Sequence, residues 1–191
     1  MAQAKVYTSK PRRSLWTFGT REVVMAAIGA ALYGVLSYLT NILQIPSAAN
    51  VSVRPAVAIV FLFGLAFGPW VGFITGFLGN TIADLLSGYG FWIWWGIGNG
   101  LMGLVAGLFV NSMTDFRKTR DLVLGEVAVV LGVIIGMFFA SFTEIWVSGV
   151  DFVTAMLTNF VPAFISNIIN GLILVPILMI AYSAIVRRSG R

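Results

Sequence analysis

The side chains able to do chemistry are few in this sequence. Within or beside its long apolar stretches stand Arg54, Asp84 and Glu144, with amides at Asn80, Asn99, Asn159, Asn167 and Asn170. A carboxylate near the end of a membrane span is costly in lipid, so it faces protein or water and often has a task. Trp92, Trp94, Trp95 and Trp146 lie close to these groups in sequence or at matching span ends. There is no cysteine and no histidine, which removes thiol chemistry together with the commonest general base and transition-metal ligand. What remains suits recognition better than catalysis. An intramembrane enzyme would have to rest on Asp84 with Glu144, and nothing in their spacing makes them neighbours.

These groups are carried by hydrophobic segments. Of 191 residues, 59% are hydrophobic and 10% charged, where soluble domains carry roughly 25% charged residues. The apolar runs are long and continuous rather than alternating, which excludes an outer-membrane barrel. The expected fold is an all-α integral membrane protein, a compact bundle of six transmembrane helices. The spans read as Val23–Leu43, Ala56–Phe67, Trp70–Leu86, Phe91–Val110, Leu122–Val147 and Thr158–Val186. The second is short against the usual ~20 residues, so it is expected to be tilted or shielded by protein. Gly68-Pro69 and Ser87-Gly88-Tyr89-Gly90 read as tight turns, Ser148–Leu157 as a loop, and Pro162 and Pro176 as interruptions of the last span. Residues 1–21 form a polar N-terminal tail, with an interfacial turn at Leu15–Phe18, and 22–191 the membrane domain. An apolar core that opens only after Glu22 does not read as a signal peptide.

The basic residues set an orientation. Eleven of the twelve Lys/Arg fall in the tail with Arg21, in the Asn111–Asp121 loop and at the C-terminal end. The positive-inside bias makes that side the cytoplasm, with both termini there. Arg54 is the exception. Arg54, Asp84, Tyr89, Trp92, Trp94, Glu144, Trp146 and Asn159 then gather toward the outer half, the frame of a small-molecule site near one membrane surface. Each also has a plainer role. Arg54 can pair with Asp84 or Glu144 to tie loops together. The tryptophans can form an aromatic belt at the headgroups. Asn99, Asn167 and Asn170 can bond across helices. In the first span Ala26, Ala27, Ala30 and Ala31 recur at four-residue spacing. Such small residues admit close approach of another helix, either within the bundle or from a partner.

The stretch FGPWVGFITGFLGNTIADLLSGYGFWIWWGIGNGLMGLVAGLF resembles the central segment of substrate-binding S components of energy-coupling factor (ECF) vitamin transporters. The Ala-x-x-x-Ala pairs, Ala26/Ala30 and Ala27/Ala31, resemble the pattern in the first span of that family. The Phe-Gly-Pro break, the glycine-rich third span with an acidic residue near its end, the Gly-Tyr-Gly turn and the aromatic cluster resemble the group that includes its riboflavin-assigned members. The resemblance implies a multi-pass protein of a prokaryotic plasma membrane. It would capture a vitamin or vitamin precursor at the outer face and dock through Ala26, Ala27, Ala30 and Ala31 onto a transmembrane coupling subunit. Two cytoplasmic ATPases would drive uptake. The chain carries no phosphate-binding Gly-x-x-x-x-Gly-Lys-Ser/Thr loop of its own. The resemblance calls for no cofactor, resident metal or nucleic acid, and the lack of histidine argues against nickel or cobalt as cargo.

In such a site Trp92, Trp95 and Trp146 would stack on a flat heterocycle, worth about 0.5–1.5 kcal/mol beyond area burial. Asn99, Asn159 and Asn170 would read ring nitrogens or carbonyls. Asp84 or Glu144 would accept from an amino or hydroxyl group or face a cationic ring, and Arg54 would hold a carboxylate or phosphate. The alternative is a stand-alone secondary transporter or channel, which would show inverted repeats or broken midplane helices. No half-to-half similarity is visible.

Overall fold

The computed structural model describes residues 14–41 and 53–188. The expectations for most of the N-terminal tail and for the end of the first span lie outside the described residues. Helices α1 (Thr20–Thr40), α2 (Val57–Phe67), α3 (Pro69–Leu86), α4 (Ile93–Gly107) and α5 (Thr119–Val147) are followed by α6 (Phe152–Arg188). No strand occurs among the described residues. Among the described residues four stretches are long and apolar enough to cross a bilayer: Thr20–Thr40, Ile93–Ser112, Thr119–Val147 and Phe152–Arg188.

The short helix α2 has a physical explanation. Val57, Ala58, Val60, Phe61 and Leu65 are all buried, and α2 packs against α1, α3, α4 and α6. A helix that is apolar all round is one surrounded by protein, and eleven residues suffice because its neighbours form the envelope. It ends at Gly68, whose φ of 107° is open to glycine and disfavoured for other residues. Pro69 then starts α3 at a position where a missing N–H costs nothing.

Backbone contact between helices fixes α4. A Cβ placed on Gly72 of α3 would strike the carbonyl of Gly103, and one on Gly103 would strike that of Gly72. Gly98 meets Gly136 of α5 in the same way. Small residues let these backbones touch, so α4 is clamped between α3 and α5 with little freedom to slide. Asn99 and Trp95 are therefore carried on a rigid element.

The last span differs from expectation. It begins at Phe152, not Thr158, because Asp151 caps it: the carboxylate accepts from Val153 N at 2.9 Å and Thr154 N at 3.1 Å. The α5–α6 connection is thus only residues 148–151. Met156–Phe160 is a π-helical turn just ahead of Pro162, and Pro176 sits inside the helix. A widened turn accommodates a residue that cannot donate to the helical ladder, so the helix continues where a break was expected.

Ring contacts join the two described ends of the chain. Trp16 packs edge-on against Trp70, Arg21 lies over the Phe67 ring, and Phe67 and Phe116 both contact Tyr182. Arg187 pairs with Asp115 at 2.7 Å. Arg21, the 111–121 loop and the end of α6 thus share one end of the bundle, the basic end. Arg54 stands at the other.

Candidate functional site

At the Arg54 end, polar side chains from four helices and one loop join inside the bundle. Arg54, just ahead of α2, donates through Nη1 to Asn80 Oδ1 and through Nη2 to Asp84 Oδ1 at 3.2 Å. Asn80 donates to Asp84 Oδ2 at 2.6 Å, one helical turn away on α3. The guanidinium also interacts with the Tyr33 hydroxyl of α1. Tyr33 donates to Asn99 Oδ1 on α4 at 2.7 Å, and Asn99 Nδ2 donates to the Trp95 carbonyl at 2.8 Å. Trp95 Nε1 reaches across to Glu144 Oε1 on α5 at 2.7 Å, and Ser148 donates to Glu144 Oε2.

Burial makes this network consequential. Tyr33 is fully enclosed and Asn80, Asp84, Asn99 and Glu144 are buried. In so apolar a setting each unmade hydrogen bond would cost about 1–3 kcal/mol, so the groups orient one another strongly. Asn41, at the end of α1, adds a bond to Ser87 at 2.5 Å beside the α3–α4 turn.

Of the nine residues expected to contact a ligand, Arg54, Asp84, Trp95, Asn99 and Glu144 are brought into this network. The four others are not. Trp92 is exposed and donates to the nearby Tyr89 carbonyl. Trp146 is exposed and packs edge-on against Phe142. Asn159 donates to its neighbour Thr158, and Asn170 donates to the Ser166 carbonyl of its own helix. Exposed tryptophans at helix ends match the aromatic belt at the bilayer interface, and the two amides are satisfied locally. Tyr33 and Ser148 belong to the network without having been singled out, and Asn80, noted among the polar side chains, had no role in the expected site. Asn80 carried a visible signal, a polar residue four positions before Asp84.

The alanine face also divides. Ala26 and Ala30 are buried within the bundle, in line with Gly29, which meets Thr75 of α3 and Phe63 of α2. Ala27 and Ala31 are exposed, on the same outward surface as Val24, Ile28 and Val35. Of the four residues expected to form a docking face, only Ala27 and Ala31 are exposed.

A separate concavity of about 350 Å³ lies at the basic end, lined by Thr114, Asp115, Phe116, Tyr182, Ser183 and Arg187 among others. Its charged groups pair with each other and are partly exposed. That make-up fits a contact clamping a loop to α6 better than a buried ligand site. No group of three or more acidic residues poised to hold a metal occurs among the described residues.

Comparison with known proteins bears on what the network serves. The family described as "ECF-type riboflavin transporter, S component" matches residues 17–184. A UPF0397 protein of Vibrio atlanticus is 38% identical over 133 residues, 66% of this chain and 71% of that protein. UPF0397 proteins of Aliivibrio fischeri (strain MJ11) and Aliivibrio salmonicida are each 44% identical over 89 residues, 47% of this chain and 48% of theirs. The matched segment thus spans about half the length of the Aliivibrio relatives.

Proposed function

The chain belongs to the ECF-type riboflavin transporter S-component family of substrate-binding membrane subunits, and from that premise we propose that the Arg54 end holds a vitamin or vitamin precursor. The observation that carries this reading is the buried network linking Arg54, Asp84, Tyr33, Asn99, Trp95 and Glu144. It joins four helices at the end away from the basic residues, and a mixture of aromatic faces with a few convergent polar groups is the usual make-up of small-ligand sites. Trp95 offers the stacking face, Asn99 the amide that reads a heterocycle, and Arg54 a cation for an acidic group.

In the same reading the basic end is cytoplasmic, the Arg54 end faces outward, and the protein is a multi-pass component of a prokaryotic plasma membrane. It works with a transmembrane coupling subunit and two cytoplasmic ATPases. Docking uses the outward surface of α1 around Ala27 and Ala31, where bulk added by Ala31→Trp would abolish complex formation and spare ligand binding. The site itself is tested by purifying the full chain in lipid nanodiscs and identifying co-purified small molecules by mass spectrometry and absorbance. A heterocycle that is retained by the parent and lost from Asn99→Ala that still unfolds cooperatively supports the site. Retention by Asn99→Ala, Trp95→Ala and Arg54→Ala alike places binding elsewhere.

A further inference from the structure

Among the described residues, buried carboxyl groups outnumber cations at the Arg54 end. Arg54 is the only lysine or arginine between Arg21 and Arg117, and none lies between Arg120 and Arg187. Residues 42–52 contain no basic side chain either. Arg21, Arg117, Lys118, Arg120, Arg187 and Arg188 belong to the other end, separated by the length of α1, about 30 Å at 1.5 Å per residue. Against this single cation stand two buried carboxylates, Asp84 and Glu144. Arg54 is committed to Asp84 and Asn80. The donors to Glu144 are Trp95 Nε1 and Ser148 Oγ, both neutral. The helices packed beside Glu144 offer no compensation. α4 has no charged residue, the nearest charge following α5 is the acidic Asp151, and α6 is free of charge until Arg187. Moving Arg54 to Glu144 would only transfer the deficit to Asp84.

A buried carboxylate is tolerated when it is paired; without a cation its charge is expensive, and burial then favours the protonated form. We propose, resting on the ligand site proposed above, that the missing cation is supplied by the ligand: the site takes a nitrogen heterocycle carrying a positive charge, held against Glu144 with Trp95 beside it. The indole adds to the selection, since an aromatic face next to the carboxylate attracts a cationic ring as well. A neutral flavin-like ring would leave the deficit in place.

The test uses the full chain in nanodiscs and two probe pairs. Nicotinamide and 1-methylnicotinamide differ by a methyl group and one positive charge; riboflavin and thiamine are a neutral and a cationic vitamin. Titration calorimetry should show the cationic member of each pair binding at least tenfold more tightly than the neutral one. Glu144→Gln keeps an acceptor for Trp95 and removes the charge. It should bring the ratio within each pair close to one. The unliganded variant should melt no lower than the parent, because the carboxyl group it replaces has no counter-ion; a purely structural Glu144 would instead lose stability in that variant. A parent that prefers the neutral probes, or a ratio unchanged in Glu144→Gln, overturns the inference. Neutral binding that is lost in Asn99→Ala would overturn it while leaving the ligand site standing. A parent that binds no probe of either charge overturns both.

Discussion

Two buried carboxylates mark the two ends of this bundle, and they are held in different ways. Asp121, at the start of α5, accepts from Thr114 N at 2.5 Å, Thr114 Oγ1 at 3.1 Å and Asp115 N at 2.6 Å, and pairs with the adjacent Arg120. All of these partners lie within seven residues. Asp84, at the end of α3, is held by Asn80 on its own helix and by Arg54, thirty residues away. Asp121 closes a loop on itself and would do so whatever the rest of the bundle did. Asp84 is satisfied only when α2 and α3 are correctly assembled. Local satisfaction is the mark of a structural carboxylate. Satisfaction assembled from distant elements, with a second buried carboxyl group at the same end held only by neutral donors, is the mark of a site whose arrangement a ligand could complete.

The largest effect that would sharpen this contrast is expected from Arg54→Ala. Removing one partner of a buried pair leaves the other charged and unpaired, at a cost of about 3–5 kcal/mol. Thermal unfolding in nanodiscs should drop accordingly, and Arg54→Met with Asp84→Leu should recover most of it. A variant as stable as the parent would show that Asp84 does not depend on its distant partner. Asp121→Ala should cost about 1–3 kcal/mol, since it orphans two loop N–H groups, and should leave ligand affinity unchanged. Loss of affinity in Asp121→Ala would erase the distinction between the two ends.

Much of this is legible in the sequence. Hydropathy placed six helical segments, and the basic residues grouped the segments that share one end. The tight turns at Gly68-Pro69 and Gly88–Gly90 followed from glycine and proline, and both turns carry glycines at positive φ. Other features were hidden for physical reasons. A four-residue spacing puts Ala26 and Ala30 in one row and Ala27 and Ala31 in the next, about 100° around the helix. Spacing alone does not say which row the bundle buries. Tyr33 carries no signal of its own in the sequence, because its partner Asn99 lies 66 residues on and only the α1–α3–α4 packing brings them together. The start of α6 was misplaced because Asp151 followed by Phe-Val-Thr reads as loop composition, although an aspartate ahead of an apolar run is also a helix cap.

Tyr33→Phe probes the middle of the network at smaller cost. It removes one hydroxyl and its bond to Asn99 while keeping the ring that fills the space against Gly79. About 1 kcal/mol of stability should go with it. If the network orients Asn99 for a ligand, affinity should fall as well, read by the same calorimetry. Unchanged affinity would make Tyr33 a packing residue that happens to be satisfied.

The smallest effect concerns Asp151, an acid near the network end that takes no part in it. Its carboxylate is held below the ordinary range first by the Thr154 hydroxyl, at 2.5 Å, and then by main-chain N–H groups of Thr154 and Val153. A folded-state value below the unfolded one, ordinarily near 3.9, means that the stabilisation is fully present above about pH 4. It is lost as pH falls through the folded value. Because Asp151 is exposed and caps only the first turn of α6, the loss should be local: faster hydrogen exchange at residues 153 and 154 below pH 4, with the Arg54 network undisturbed. Asp151→Asn keeps a capping oxygen and cannot titrate, so its exchange should show no such pH step once intrinsic rates are divided out. If acid instead released the amides of α3 and α4 together with those of α6, the two carboxylate environments at this end would be linked, and the separation drawn between a local cap and a long-range network would fail.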